Sequence, residues 1–261
     1  MPAFPAVPLL HVRFDGDGQH RCMESGEAHR LGNHVVTSVS GALRTTVLAA
    51  AAICVVVAVW ISDEVAEHET FAFDTTVLET IHRATTPLLL AVAWGFTDLG
   101  PPIGLTVVTA VAALLMWRAG LRAGAVVFVV GAIFAGVLDL GLKEIFERVR
   151  PDLWPRRHVA GDSFPSGHAL QGTAVYGTLT VLLARSYPRR RTLTGVLGAC
   201  LILAIVASRA VLGVHWPTDL IAGMAIGFLC LLLIVAVIDR FEPREVFARV
   251  RSSSSHHGVR S

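Results

Sequence analysis

Three short segments of the chain contain side chains whose types and spacing suit chemistry at a phosphate group. Lys143 is the single lysine among 22 basic residues. A compact ammonium and a planar guanidinium contact oxygen differently, so this exception indicates a specific role. The first segment begins at Lys143 and ends at Arg150-Pro151, the second is Pro165-Ser166-Gly167-His168, and the third runs from Ser208-Arg209 through His215 to Asp219.

One group of these residues suits the binding of an anion. Lys143, Arg150 and Arg209 supply positive charge for the oxygens of a phosphoryl group. Ser166 and Gly167 precede a long apolar run, so we expect their N–H groups at a helix N-terminus, where anions bind. These five residues are therefore the predicted phosphate-binding set.

The other group is His168, His215 and Asp219, and it suits bond making and bond breaking. Two imidazoles can divide the duties of nucleophile and general acid near neutral pH. Asp219 lies four residues after His215, close enough to accept its second ring N–H and fix its tautomer. With the phosphate-binding set, these three residues complete the requirements for a displacement at phosphorus.

The three segments resemble the type 2 phosphatidic acid phosphatase superfamily, whose pattern is K-x6-R-P, then P-S-G-H, then S-R-x5-H-x3-D. All eleven specified residues match, which is far more specific than a single short motif. The resemblance implies that His215 attacks phosphorus to form a phosphohistidine and that His168 protonates the leaving group. It also implies that phosphate is bound without a metal or another cofactor, by Lys143, Arg150, Ser166, Gly167 and Arg209.

The elements that position these residues are predicted to be membrane helices. Hydrophobic residues make up 53% of the chain and charged residues 16%, which is typical of a polytopic membrane protein. A span needs about 20 apolar residues. The prediction is an all-α membrane bundle of six transmembrane helices, near residues 43–62, 99–117, 123–142, 167–185, 192–209 and 218–239.

Two features of this layout need separate interpretation. Residues 74–98 contain charges in their first half and an apolar second half that is too short to span alone. This favours a short interfacial helix after the first span, lying on the membrane surface or dipping into it. Whether residues 86–98 span stays open, and a span there would invert the downstream topology. Asp139 precedes Lys143 by one helical turn, and a pair between them is favoured over direct catalysis by Asp139.

The distribution of arginines predicts the orientation in the cell membrane. In a six-span arrangement, the arginines from 118 to 122, from 185 to 191 and near both tails fall on one side, which the positive-inside rule makes cytoplasmic. The loop from Lys143 to His168 also holds Arg148, Arg156 and Arg157, on the other side. An anionic substrate explains that exception. We therefore expect both termini in the cytoplasm and the active site on the extracytoplasmic face.

Outside the spans, the sequence predicts little folded structure. Residues 1–42 are predicted to be a polar, disordered cytoplasmic tail, residues 43–240 the six-span phosphatase domain, and residues 241–261 a C-terminal cytoplasmic tail. The histidines of the first tail lack the spacing of a metal site.

The resulting hypothesis is a metal-independent membrane phosphatase that hydrolyses the terminal phosphate of a lipid phosphate or diphosphate. Polyprenyl diphosphates, phosphatidic acid and phosphatidylglycerol phosphate all present that group. Its expected partners are this lipid and the bilayer, with no nucleic acid, and the sequence leaves the oligomeric state open. Two alternatives stay open: a lipid phosphotransferase that uses the same histidine, and a non-enzymatic lipid-binding or transport protein.

Overall fold

The structure is a computed structural model of the 261-residue chain. It describes residues 25–67, 72–101, 103–155 and 159–242, with side chains from residue 44 onwards. The chain divides into two compact units, residues 1–48 and 49–261. All candidate site residues belong to the second unit. Most of the two predicted tails, together with Arg156 and Arg157, lies outside the described residues.

Helices account for the regular structure of the described ranges, as the sequence predicts. A short 3₁₀ turn at Pro188–Arg190 joins two of them. The helices are α1 Ser25–Ala66, α2 Ala72–Ala84, α3 Pro87–Thr97, α4 Ile103–Arg118, α5 Arg122–Phe146, α6 Gly167–Ser186, α7 Arg191–Val211 and α8 Pro217–Phe241.

Four segments are long and apolar enough to cross a membrane: Arg44–Ala66, Arg122–Phe146, Pro188–Val211 and Pro217–Phe241. Each corresponds to a predicted span. The predicted span at 99–117 corresponds to α4, which begins only at Ile103 and has 16 residues. The predicted span at 167–185 corresponds to α6, which has 20 residues and buries many of them inside the protein. The count of six spans therefore stays a prediction.

The structure differs from the prediction at two helix boundaries. Residues 25–42, which fall within the predicted cytoplasmic tail, belong to α1; no proline interrupts the chain between Ser25 and Ala66. The assignment of the tail stays a prediction. Residues 74–98 form two helices, because the Thr86 side chain accepts a hydrogen bond from the N–H of Leu89 and Pro87 opens the new helix.

Helix α6 lies at the centre of the second unit and packs most extensively against α8 and α7. Gly223 and Gly227 of α8 allow this close approach. A Cβ atom on Gly223 would lie 2.8 Å from the carbonyl oxygen of Ser166, and one on Gly227 would overlap the carbonyl of Leu170. This contact brings the start of α6 against the start of α8, where the second and third sequence segments lie.

Candidate active site

The predicted site residues converge on one cavity of about 770 Å³. They come from the end of α5, the following loop, the start of α6, the end of α7, the α7–α8 loop and the start of α8. Lys143, Arg150, Gly167, His168, Arg209 and His215 all line the cavity, whereas Ser166 and Asp219 lie buried behind its wall. Residues up to 72 positions apart in sequence thus meet at one end of the helical bundle.

Lys143 is held at the cavity wall by two acceptors. Its ammonium group forms an ion pair with Asp139 and donates a hydrogen bond of 3.0 Å to the carbonyl oxygen of Pro165. The Asp139–Lys143 pair inferred from sequence is therefore present. Gln171 also donates to the Asp139 carboxylate, at 3.2 Å. These contacts direct the Lys143 ammonium group towards the cavity. The side chain is 15% exposed.

Arg150 connects the α5–α6 loop to the candidate nucleophile. Its guanidinium donates to the carbonyl oxygens of Gly161 at 2.8 Å, Asp162 at 3.0 Å and Val214 at 2.7 Å. One of its nitrogens, Nη1, also lies 3.0 Å from Nε2 of His215. Arg150 therefore both orders the loops around the cavity and places positive charge beside this imidazole.

Two polar atoms near the cavity are buried without a hydrogen-bond partner among the described residues. They are Oγ of Ser166 and Nε of Arg209. Burying an unpaired polar group costs free energy, so such atoms commonly mark a missing ligand. Ser166 immediately precedes α6, whose first-turn N–H groups have no acceptor within the helix. A phosphate oxygen would satisfy this set of donors.

The hydrogen bonds of His215 define its tautomer. Nδ1 lies 2.9 Å from the carbonyl oxygen of Ser163, and a carbonyl can only accept, so Nδ1 carries the proton. Nε2 then has a lone pair, which accepts the hydrogen bond from Arg150. The imidazole is 2% exposed. This is the tautomer in which Nε2 can act as a nucleophile.

Asp219 supports His215 at a longer distance than the sequence predicts. Its carboxylate lies 3.5 Å from Nδ1 of His215, whereas the carbonyl of Ser163 lies closer. The carboxylate is occupied by other donors: the Ser163 hydroxyl, the Trp216 N–H at 2.8 Å and Arg148 at 2.5 Å. The tautomer is therefore fixed mainly by a backbone carbonyl, and Asp219 adds negative charge beside the ring.

Behind Asp219 lies a buried ionic network that sequence reasoning missed. Arg148 bridges the carboxylates of Asp219 and Asp74, with a distance of 2.9 Å to the latter. Asp74 is 1% exposed and also accepts from the N–H and hydroxyl of Thr218, at 2.9 and 2.6 Å. Two features of the sequence pointed towards this network. Arg148 lies on the predicted extracytoplasmic side, against the positive-inside rule, and Asp74 is an acidic residue in a short helix. Neither indicated the partner.

Burial sets the protonation of His215. It lowers the pKa of this imidazole from 6.5 to about 4; the Asp219 carboxylate opposes the shift, while Arg150 and Arg209 add to it. The ring is therefore neutral at physiological pH. A neutral ring is what a nucleophilic histidine requires.

The second predicted histidine, His168, meets groups outside the three motif segments. Its Nε2 atom lies 3.2 Å from both the hydroxyl and the carbonyl oxygen of Thr97, the last residue of α3. The hydroxyl of Thr97 also accepts from Arg209 at 2.5 Å. Thr97 is a further residue that sequence reasoning missed.

The cavity extends away from these polar groups between α4 and α5. Its wall there consists mainly of aliphatic side chains with two threonines and one glycine: Leu105, Thr106, Thr109, Ala110, Val129, Ala132, Ile133, Gly136, Val137 and Leu140. An apolar chain attached to a phosphate matches this combination of a charged end and an apolar wall. In the described part of the chain, no group of three or more His, Cys, Asp or Glu side chains is arranged to hold a metal ion.

Comparison with known proteins finds lipid phosphatases among the relatives of this chain. Residues 124–243 match the family model of the PAP2 superfamily. The chain is 34% identical over 101 residues to phosphatidylglycerophosphatase B of Bacillus subtilis, covering 38% of this chain and 50% of that protein. It is 35% identical over 151 residues to decaprenylphosphoryl-5-phosphoribose phosphatase of Mycobacterium tuberculosis, covering 54% of this chain and 76% of that protein.

A solved structure has the same fold. It is the crystal structure of a transmembrane PAP2 type phosphatidylglycerolphosphate phosphatase from Bacillus subtilis, with a TM-score of 0.66 and 24% identity. The similarity covers 73% of this chain and 98% of that one. The sequence match, by contrast, spans half the length of the Bacillus subtilis phosphatidylglycerophosphatase B.

Proposed function

Because this chain belongs to the PAP2 superfamily, we propose that it is an integral membrane phosphatase that removes the terminal phosphate of a lipid phosphate or diphosphate. The observation that carries the proposal is the cavity that joins three cations and two histidines to an apolar wall. A soluble phosphate ester would use only the polar end of this cavity. A lipid would use both ends, and binding energy from its tail can help to position the phosphorus.

The proposed reaction has two steps. First, a bond forms between Nε2 of His215 and phosphorus while the bond from phosphorus to the leaving oxygen breaks, and His168, protonated on both ring nitrogens, gives that oxygen a proton and becomes neutral. Then water attacks phosphorus, the phosphorus–nitrogen bond breaks, and a proton from the water passes to His168. In support of His215 as the nucleophile, its Nε2 atom is unprotonated and lies 3.0 Å from Nη1 of Arg150.

In this mechanism the remaining residues hold the phosphoryl group. Lys143, Arg150 and Arg209 neutralise its oxygens, and Ser166 and the N-terminus of α6 donate hydrogen bonds to it. These groups supply the charge that a phosphoryl transfer needs, so we propose that no metal ion takes part. Phosphate release should then persist in excess chelator. Activity that requires added magnesium would contradict the metal-free mechanism.

The proposed substrates follow from the relatives as well as from the cavity. The relatives are named for phosphatidylglycerophosphate and for a decaprenylphosphoryl phosphoribose, and a putative undecaprenyl-diphosphatase of Escherichia coli is 38% identical over 72 residues. What these compounds share is a phosphate on a membrane lipid. We therefore expect long-chain lipid phosphates and polyprenyl diphosphates to be hydrolysed far more efficiently than glucose phosphate.

The test is phosphate release by the purified protein across a panel of these lipids. His215→Ala serves as the blank, and His82→Ala, which changes an exposed histidine, is the matched control. We expect release by the wild type and the control but none by the blank. Transfer of phosphate to an added lipid alcohol, with little free phosphate, would indicate a phosphotransferase instead. Equal kcat/KM values for glucose phosphate and the best lipid would contradict a lipid substrate.

We also propose six spans, with the active site on the extracytoplasmic face. In support, the site lies at the ends of α5 and α7 and the starts of α6 and α8, whereas the arginines from 185 to 191 lie at their opposite ends. In a cysteine-free background, Asp152→Cys should react with an impermeant thiol reagent in intact cells. Arg189→Cys, exposed in the opposite loop, should react only after permeabilisation. The reverse pattern would invert the topology.

A further inference from the structure

The turn between α3 and α4 contacts two of the proposed active-site residues, although it lies outside the family match at residues 124–243. Thr97, the last residue of α3, is 6% exposed. It lies 71 residues before His168 and 112 before Arg209, yet it contacts both. The turn is therefore part of the site's structure.

The contacts of Thr97 define how it holds the His168 ring. Its carbonyl oxygen can only accept, so the nearby Nε2 of His168, at 3.2 Å, carries the proton. The Thr97 hydroxyl oxygen lies at the same distance from Nε2 and shares this N–H. It also accepts the 2.5 Å hydrogen bond from Arg209. One hydroxyl thus links an imidazole and a guanidinium.

Gly100 lies close to the same ring. A Cβ atom on Gly100 would overlap Cδ2 of His168 and would lie 2.6 Å from its Nε2 atom. The turn itself is fastened to α6, because the Tyr176 hydroxyl donates a 2.6 Å hydrogen bond to the carbonyl oxygen of Leu99. Helix α6 also carries His168. The ring is consequently held by a hydrogen-bonding residue and packed against a glycine that leaves no space for a side chain.

We propose that Thr97 and Gly100 are positioning residues that hold His168 in the orientation from which it protonates the leaving group. Through the same hydroxyl, Thr97 aims Arg209 at the phosphoryl group. The inference rests on the proposed phosphatase function and goes beyond it, because neither residue belongs to the three motif segments. Two consequences separate this role from a merely structural one. Loss of the Thr97 hydroxyl should lower kcat most on substrates with poor leaving groups. It should also weaken the binding of the phosphoryl group.

The test compares Thr97→Val, which keeps the side-chain shape without the hydroxyl, with Thr97→Ser, which keeps the hydroxyl. Each is assayed on a lipid phosphate with an alkyl leaving group and on a nitrophenyl analogue whose leaving group needs no proton. We expect Thr97→Val to lower kcat on the alkyl substrate about 30-fold, within the usual range for general acid catalysis, and on the aryl substrate about threefold. Thr97→Ser should stay within about threefold of wild type on both.

The inhibition constant of vanadate tests the role of the hydrogen bond between Arg209 and the Thr97 hydroxyl. Vanadate resembles the transition state for phosphoryl transfer. Loss of one hydrogen bond to a charged group should raise its inhibition constant about tenfold in Thr97→Val and leave it nearly unchanged in Thr97→Ser. Unchanged inhibition by vanadate would overturn the part of the proposal that concerns Arg209.

Gly100→Ala gives an independent variant, with Gly95→Ala as its matched control. A methyl group at Gly95 meets nothing within 4 Å, so the control should behave as wild type. Gly100→Ala should displace the ring and repeat the selective loss on the alkyl substrate. Gel filtration shows whether Gly100→Ala folds. If it does not, the result for Thr97→Val alone tests the positioning role.

Equal losses on the two substrates in Thr97→Val, or no loss on either, would overturn the positioning role while leaving the phosphatase proposal intact. A wild-type protein that releases phosphate from no lipid, or a His215→Ala variant with full activity, would instead overturn the proposed function and this inference with it. The two failures therefore give different results.

Discussion

The two histidines of the site are held in different ways. His215 lies against a buried ionic network in which Asp219, Arg148 and Asp74 alternate in charge. His168 lies against the uncharged Thr97 and Gly100. Each ring has a partner outside its own segment of sequence, Ser163 for His215 and Thr97 for His168. A carboxylate lies beside the first ring, whereas uncharged residues hold the second in place.

The difference matches the duties proposed for the two rings. His215 becomes positively charged when its Nε2 atom bonds to phosphorus, and the nearby Asp219 carboxylate stabilises that charge. His168 has to gain and lose a proton in each cycle. A carboxylate partner would favour its protonated form throughout. Thr97 and Gly100 fix its orientation without placing a negative charge beside it, so the contrast matches the proposed duties.

The largest expected effect is the loss of activity on replacing either histidine, and it should distinguish the nucleophile His215 from the general acid His168. His215→Ala should lower kcat by about 10⁴-fold or more on every substrate, because no other group replaces the nucleophile. His168→Ala should lower it about 10²- to 10³-fold on alkyl phosphates and much less on nitrophenyl analogues. Rapid quenching should trap a phosphoenzyme in His168→Ala with the aryl substrate but none in His215→Ala. A phosphoenzyme in His215→Ala would show that another residue is the nucleophile.

A smaller effect tests what fixes the tautomer of His215. If Asp219 alone fixed it, Asp219→Asn would cost about 10⁴-fold in kcat, as in triads that lose the correct tautomer. Since the Ser163 carbonyl accepts the Nδ1 proton at 2.9 Å, we expect the tautomer to survive and the loss to be about 10²-fold, from the missing charge. Single-turnover kinetics on folded protein measure this loss. A 10⁴-fold loss would mean that Asp219, and not the Ser163 carbonyl, fixes the tautomer of His215.

Removing one member of the ionic network behind His215 should destabilise the protein more than breaking an exposed pair. Arg148→Met leaves Asp74 and Asp219 buried without their shared cation, which should cost about 3 kcal/mol in unfolding free energy. Arg83→Met is the control, because Arg83 pairs with Glu79 on the surface and is 72% exposed; we expect a cost under about 1 kcal/mol. Denaturant unfolding in detergent, followed by tryptophan fluorescence, measures both. Equal costs for the two variants would mean that the network contributes no special stability.

The local features of this architecture were accessible from sequence. Apolar length located most of the helices, and the motif spacing identified six of the residues that line the cavity, all at its polar end. Even the missed boundary between α2 and α3 carried a local signal, since a threonine before a proline is typical of a helix start.

The supporting residues of the site were not accessible in this way. Asp74 and Thr218 are 144 residues apart, and Thr97 and Arg209 are 112 apart. Which of many polar residues meet across such separations depends on how the helices pack, and no local pattern records it. Likewise, the sequence showed that Asp219 is near His215, but only the structure shows that the Ser163 carbonyl is nearer.

The last prediction concerns the pH dependence of the reaction, for which the smallest effect is expected. Burial lowers the pKa of His215 from 6.5 to about 4, so its nucleophilic form persists well into the acid range. The acid limb of kcat/KM, which reports the free enzyme, should therefore lie near pH 4 on the nitrophenyl substrate, after correction for the substrate's own ionisation. Because Asp219 raises the pKa of His215, Asp219→Asn should move this limb to still lower pH. A limb near the ordinary value of 6.5 would show that the ring is more accessible to water than the structure indicates, and a shift to higher pH in Asp219→Asn would reverse the sign assigned to that carboxylate.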